Sequence, residues 1–333
     1  DRMGAYIIAE AGVNHNGRLD LAKELCLAAK NAGADCVKFQ TWQTEKIITR
    51  SVAQADYQAD NTGHTESQFD MLKRLELSYD DFRAVKAYCD EIGIQFASTA
   101  DEADSLDFLL TLGIPFIKIG SGEIGNIPYL RYMGSKKKPV LLSTGMSSLA
   151  DVELSLEALR QGGAEDITLL HCTTSYPCPY DRVNLRAMDT LRAAFGLPVG
   201  YSDHTEGITI PTAAAARGAV VIEKHFTLDR HMEGPDHLAS TEPEAFRQMV
   251  SAIRQVEAGL GSGCKAPSPE ERAISEVVLK RIVAARPIPI GKLLTADDLT
   301  VKRNDRGLSA RYWDLVIGTP ARRDYAADDA IEL

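Results

Sequence analysis

The chain has 333 residues, 44% hydrophobic and 25% charged, a balance that excludes a disordered or fibrous protein. Its formal net charge of −10 argues against nucleic acid or an anionic membrane as partner, and no apolar run approaches the roughly 18–20 residues needed to cross a bilayer. Asp1–Ala5 lead straight into an apolar run, so no signal peptide is expected, and six cysteines without a C-x-x-C pair predict a reduced, cytoplasmic protein.

From Ala5 to about Leu260, short apolar runs that read as buried strands alternate with amphipathic helical stretches. Strand Tyr6–Ala9, helix Leu19–Ala32 and strand Cys36–Phe39 come first. A polar, irregular insertion across Thr41–Ser78 then breaks the rhythm; with Gln54, Tyr57, Gln58 and Asn61 it reads as a substrate-covering loop. Helix Asp80–Ile92, strand Gln95–Ser98, helix Ala103–Leu112, and strands Phe116–Ile119 and Val140–Ser143 follow. Next come helix Leu149–Gln161, strand Thr168–His171, helix Asn184–Phe195 and strand Val199–Tyr201. Helix Ile208–Arg217, strand Val220–Glu223 and helix Glu242–Gly259 complete the series. Gly33, Gly93, Gly113 and Gly218 stand where left-handed caps would close helices. The pattern spells an α/β protein built on a (β/α)8 TIM barrel, with a doubly wound open sheet as the alternative.

The barrel domain is expected over 1–262, a linker over 263–279 and a small β-rich domain over 280–333. The linker carries Gly261-Ser262-Gly263, Ala266-Pro267-Ser268-Pro269 and a helix over Glu270–Leu279 that reads as basic. The last domain shows short strands Arg281–Ala285, Leu299–Arg303 and Ala330–Leu333. Lys136-Lys137-Lys138 reads as a solvated loop at a helix end.

In such a barrel the chemistry sits at the C-terminal ends of the strands. Those ends present Glu10, Asn14 and His15; Lys38 and Gln40; Ser98, Thr99 and Asp101; Lys118, Ser121 and Glu123. They continue with Ser143 and Thr144; His171, Thr173, Thr174 and Tyr176; Ser202, Asp203 and His204; Glu223, Lys224 and His225. Any one of these could cap a strand, but eight polar strand ends together are costly to bury without a ligand. His204 and His225, at neighbouring strand ends beside Asp203, Glu223 and Lys224, are candidate metal ligands. Lys38 and Lys118, with Thr99, Ser121, Ser143 and Ser202, make a cationic, donor-rich pocket suited to phosphate. A structural ion pair or a Schiff-base lysine, as in barrel aldolases, are the other readings of those lysines. Glu10, Glu123, Glu223 and Asp236 form the anionic half, placed for proton transfer or for orienting a metal ligand.

These segments carry a resemblance. I-I-A-E-A-G-V-N-H-N-G (Ile7–Gly17), V-K-F-Q (Val37–Gln40), F-A-S-T-A-D (Phe96–Asp101), I-K-I-G-S-G-E (Ile117–Glu123), G-Y-S-D-H-T (Gly200–Thr205), E-K-H-F-T (Glu223–Thr227) and G-P-D-H (Gly234–His237) resemble the sialic acid, or nonulosonate, synthases over nearly the whole chain. The C-terminal part, with V-K-R (Val301–Arg303), is similar to their antifreeze-like (SAF) domain. The resemblance implies condensation of phosphoenolpyruvate with an N-acetylmannosamine-type sugar, a carbon–carbon bond-forming transfer that releases phosphate. It implies His204 and His225 as ligands of a divalent metal, usually manganese, with magnesium or cobalt as alternatives. It implies Lys38, Thr99, Lys118, Ser121, Ser143, Thr174 and Ser202 around phosphoenolpyruvate, and Glu10, Gln40, Tyr176 and Asp236 around the sugar. Glu10, Glu123, Glu223 and His225 would serve the chemistry, and Arg303 would reach the sugar from the partner of a domain-swapped homodimer. Where the family often has Asn or Ser, this chain has Thr174. Pseudaminic acid synthesis and a Schiff-base aldolase are the alternative activities; ice or glycan binding lacks the flat threonine arrays it would need.

Overall fold

The chain forms two compact units, Asp1–Gly261 and Ser262–Leu333; the computed structural model describes residues 4–49 and 66–333. Gln54, Tyr57, Gln58 and Asn61 lie outside the described residues.

In the first unit, eight parallel strands alternate with helices. They are β1 (Tyr6–Gly12), β2 (Cys36–Thr41), β3 (Gln95–Ala100), β4 (Ile117–Ile119), β5 (Val140–Ser143), β6 (Ile167–His171), β7 (Val199–Asp203) and β8 (Val221–His225). Their hydrogen-bonded order is β3-β2-β1-β8-β7-β6-β5-β4. Pairing of β1 with β8 bends the sheet into a ring, and the seam falls between β3 and the three-residue β4. This is the expected (β/α)8 barrel; the open doubly wound sheet is set aside.

Alternation along the strands decides what fills the ring. One inward layer is Ile8, Cys36, Ala97, Phe116, Leu141, Leu170 and Val221. Two residues further along stand Glu10, Lys38, Thr99, Lys118, Ser143, Cys172, Ser202 and Glu223. The outward residues, among them Ile7, Val37, Phe39, Leu142, Leu169 and Ile222, join the core beneath the helices. Each large aliphatic buried there contributes about 1.5–3 kcal/mol, which lets the ring tolerate a polar upper layer. The first helix, α1 (Leu19–Asn31), shows how the outer layer forms: Leu21, Ala22, Leu25, Cys26 and Ala29 recur at helical spacing and are buried. The four cap glycines all take left-handed backbone angles, with φ between 73° and 90°.

The insertion is more ordered than its composition predicts. Among its described residues it holds α2 (Thr44–Ile47) and α3 (Gln68–Leu75), the latter capped by Ser67 and burying Phe69, Met71 and Leu75. A further helix, Ile127–Gly134, which the sequence pattern did not predict, follows β4, with Pro128 in its first turn and Gly134 as its last residue, where both are tolerated. Lys136-Lys137-Lys138 does trail a helix, yet it is not simply solvated: Lys136 pairs with Asp107 at 3.1 Å and Lys138 donates to the Ile114 carbonyl at 2.8 Å.

The second unit opens with helix Pro269–Val278, closed at its start by a Ser268–Glu271 capping box. Glu270, Glu271 and Glu276 outweigh Arg272, so this helix is acidic and not basic. Strands β9 (Lys280–Ala284) and β10 (Leu299–Arg303) pair antiparallel over a small core that includes Ile282, Leu294, Val316 and Ile331. Ala330 adds one bridge to Val283 rather than a full third strand. No described helix is long and apolar enough to cross a membrane, and all six cysteines are free.

Candidate active site

At the C-terminal ends of the strands lies a cavity of about 340 Å³. Its wall gathers Glu10, Lys38, Gln40, Thr99, Lys118, Ser121, Ser143, Thr174, Tyr176, Ser202, His204, Glu223, His225 and Asp236. Two residues to which the resemblance gave a catalytic or sugar-binding role are not in that wall. Glu123 ends the turn after β4 and accepts a hydrogen bond from Asn126 at 2.8 Å. Arg303 ends β10 in the second unit and is exposed.

The floor is an ionic cluster. Lys38 Nζ contacts the Glu10 carboxylate, donates to Thr99 Oγ1 at 2.9 Å and lies 3.5 Å from Glu223 Oε2. Lys118 Nζ lies 3.4 Å from Glu223 Oε1, which also accepts from Ser202 Oγ at 2.8 Å. Burial pushes the Glu223 carboxyl up, but the Lys118 and Lys38 ammoniums outweigh it and hold Glu223 well below the usual carboxylate range. Glu10 shares Lys38 with Glu223, and burial raises it to about 7 against the pull of that lysine. Burial alone would depress the Lys38 amine; Glu10 and Glu223 reverse this and keep it firmly charged. β1 bulges between Glu10 and Gly12, and Gly12, at φ 52°, brings its backbone against the Glu10 and Gln40 side chains where a Cβ would crowd both.

Across the cavity, β4–β6 supply a donor-rich corner. Ser121 Oγ accepts from the Gly145 amide at 2.9 Å and sits 3.2 Å from Cys172 Sγ. A Cβ on Gly145 would collide with Thr174 Oγ1 and Ser121 Oγ, so only glycine lets the backbone approach this closely. With Lys118 and Ser143, this corner has the hydroxyls, amides and charge that recognise phosphate.

The two histidine rings stand 5.6 Å apart, centre to centre, with Tyr176 4.3 Å from one and 5.9 Å from the other. His204 Nδ1 meets the Thr173 carbonyl at 2.7 Å, which fixes its proton there and leaves Nε2 as a lone-pair donor. His225 Nδ1 is buried with no hydrogen-bond partner among the described residues. Burial lowers both imidazole pKa values, that of His225 to about 3, so both rings are neutral near pH 7. Neutral imidazoles with a free ring nitrogen fit a divalent transition metal. No group of three or more His, Cys, Asp or Glu side chains is arranged to hold a metal among the described residues, so a cation would need its remaining ligands from solvent or substrate.

Several polar strand-end residues face elsewhere. Asp203 and Lys224 point outward, not into the pocket beside the histidines: Lys224 Nζ pairs with Asp203 Oδ2 at 2.6 Å, and Tyr201 and Thr205 hydroxyls also donate to Asp203. Asn14 ties β1 to the loop after β8, donating to the Phe226 carbonyl and to Ser240. His15 accepts from the Gly17 amide, Ser98 pairs with Thr41, and His171 bonds the Val183 carbonyl. Conversely, sequence reading left Val13, Met71, Leu72 and Leu75 out of the site, yet they form one apolar side of the cavity. A serine cap at Ser67 followed by an i, i+4 apolar pair was the available signal.

A parallel barrel with paired amines, paired carboxylates and two neutral imidazoles around one rim cavity defines an enzyme of the TIM-barrel class. Its rim motifs narrow that class, and comparison with known proteins completes it. The chain belongs to the NeuB family, whose profile matches residues 25–265, and a SAF domain matches residues 281–332. It is 45% identical over 321 residues to the N,N′-diacetyllegionaminic acid synthase of Legionella pneumophila, covering 95% of this chain and 90% of that protein. It is 39% identical over 299 residues to the human N-acetylneuraminate-9-phosphate synthase, covering 89% of this chain and 82% of that protein. The solved N-acetylneuraminic acid synthetase of Leptospira borgpetersenii serovar Hardjo-bovis, in complex with citrate, superposes with a TM-score of 0.72 at 32% identity, covering 82% of this chain and 90% of that one. The resemblance drawn from the motifs is thereby borne out.

Proposed function

We propose that this chain condenses phosphoenolpyruvate with an N-acetylated mannosamine-type sugar, giving a nine-carbon nonulosonic acid and phosphate. The observation that carries the reading is the split rim, with a cationic, hydroxyl-rich corner on one side and Gln40, Glu10 and Asp236 on the other. The likeness to the Legionella synthase favours 2,4-diacetamido-2,4,6-trideoxymannose as the sugar, and hence a legionaminic-type product, over N-acetylmannosamine.

Lys38, Thr99, Lys118, Ser121, Ser143, Thr174 and Ser202 hold the phosphate and carboxylate of phosphoenolpyruvate. Gln40, Asp236 and Tyr176 orient the open-chain sugar so that its aldehyde carbon faces C3 of the enol. Bond formation there leaves a cation at C2, which the ionised Glu223 stabilises. Glu10, raised to about 7, is partly protonated at neutral pH and gives its proton to the new hydroxyl. Water then adds at C2, the C2–O bond breaks and phosphate leaves. His204 and His225 would hold a divalent metal, manganese first, which when bound acts as a Lewis acid on the aldehyde or the attacking water. In a homodimer, Arg303 of the second copy meets the sugar's N-acyl group; Arg303→Ala then raises the sugar KM more than the phosphoenolpyruvate KM.

A Schiff-base aldolase needs an amine depressed toward neutrality, and Lys38 is shifted the other way. Phosphate release assayed with each candidate sugar, with and without manganese, tests the proposal. Borohydride trapping of a lysine adduct, or full turnover by His225→Ala in chelator, would refute it.

A further inference from the structure

The rim cavity contains two kinds of wall, and the mechanism above uses only one of them. We propose that α3 makes the enzyme specific for a sugar whose far end is uncharged and apolar, a 6-deoxy methyl in place of a 6-hydroxyl or 6-phosphate. This rests on the condensation reading and concerns which sugar that reaction takes.

Lys38 and Lys118 are the only Lys or Arg side chains lining the cavity among the described residues, and both are within ion-pair reach of Glu223. They face Glu10, Asp101, Glu223 and Asp236 in the same wall. One phosphorylated, carboxylated substrate already takes up those two cations, so a phosphate on the second substrate would find no further lysine or arginine in this described wall and would face its carboxylates. Residues 50–65, outside the described residues, hold one arginine, Arg50, and no lysine.

Shape and polarity then give the class. Met71, Leu72 and Leu75 stand on α3 next to Val13, at the β1–β2 end of the cavity that also carries Gln40. Met71, Leu75, Val13 and Trp42 form an apolar cluster of their own, apart from the barrel core. The cluster is anchored: Trp42 Nε1 donates to Thr44 Oγ1 at 3.0 Å, and the Thr44 amide donates to Glu76 at 2.8 Å. Lys73 and Arg74, the helix's own cations, are engaged outside the cavity wall, with Glu45 at 2.9 Å and Glu66 at 2.8 Å. A fixed apolar face beside a hydrogen-bonding glutamine suits a ligand that is polar along its length and ends in methyl groups.

The test compares kcat/KM for three sugars at saturating phosphoenolpyruvate: 2,4-diacetamido-2,4,6-trideoxymannose, its 6-hydroxy analogue, and that analogue's 6-phosphate. The wild type should prefer the deoxy sugar about 10-fold or more over the hydroxy sugar, with the phosphate poorest. Leu72 is half-buried, so Leu72→Gln should fold; it should erase most of that preference while leaving the phosphoenolpyruvate KM unchanged. Leu72→Met should keep the preference. Equal use of deoxy and hydroxy sugars by the wild type, or a Leu72→Gln effect that is the same for both, would overturn the apolar wall while leaving condensation intact. Absence of phosphate release with every sugar would instead sink the condensation reading and this inference with it.

Discussion

Residues 202–203 and 223–224 place two ionic clusters back to back, separated by the thickness of the sheet. Outside, Lys224 and Asp203 pair at 2.6 Å, and Tyr201, Thr205 and the Thr205 carbonyl complete the set. Inside, Glu223 is shared by two lysines at 3.4 and 3.5 Å, and Glu223 Oε2 is buried with no hydrogen bond among the described residues. The outer cluster is closed, its partners at hydrogen-bond distance. The inner one is open, with charge and donors arranged around space. Buried polar groups that satisfy one another serve the fold, whereas those left incomplete mark where a ligand belongs.

Substitutions on the two faces should therefore separate stability from turnover. The largest effect is expected outside: Lys224→Met strands the Asp203 carboxylate and should cost about 3–5 kcal/mol in urea unfolding, with specific activity of the folded fraction unchanged. A similar loss of activity in the folded fraction would erase the distinction. Inside, Lys118→Met should lower kcat/KM for phosphoenolpyruvate by about 100-fold, equivalent to about 2.7 kcal/mol, with a much smaller change in Tm. Asp101 sharpens the contrast further. Burial, then the neighbouring Glu123 and Glu102, raise its carboxyl from 3.8 to about 7. The folded chain thus keeps a proton that unfolded Asp101 releases, and the resulting stabilisation is present below pH 4 and lost as pH rises to 7. Asp101→Asn, which mimics the protonated acid, should match the wild type at pH 4 and exceed it by about 2 kcal/mol at pH 8 in denaturant titrations. The smallest effect is at the apolar wall, where Ser67→Ala removes the α3 cap and should cost about 1 kcal/mol, seen as faster amide exchange over Gln68–Leu75.

The barrel was legible because each strand is a short apolar run ending in polar residues, with a helix pattern or a turn before the next. What composition could not decide was which of two adjacent polar residues faces inward. Ser98 and Thr99, Ser202 and Asp203, Glu223 and Lys224 differ by one step, and only the inner layer of Ile8, Ala97 and Val221 fixes the parity. The bulge after Glu10 breaks that count and carries Asn14 and His15 away from the cavity. The apolar wall was missed for another reason: Met71 and Leu75 are diluted by Lys73, Arg74 and acidic neighbours, so a two-turn helix looked like polar loop.

The seam between β3 and β4 gives the ring a clasp. Every other neighbouring pair of strands is joined by a backbone ladder, whereas here Tyr129, on the helix that follows β4, reaches the Ala100 carbonyl at the end of β3 with its hydroxyl at 2.8 Å. Breathing of the barrel should start at that edge, and deuterium should enter the amides of Ile117–Ile119 before those of β1 and β8, which are paired on both sides.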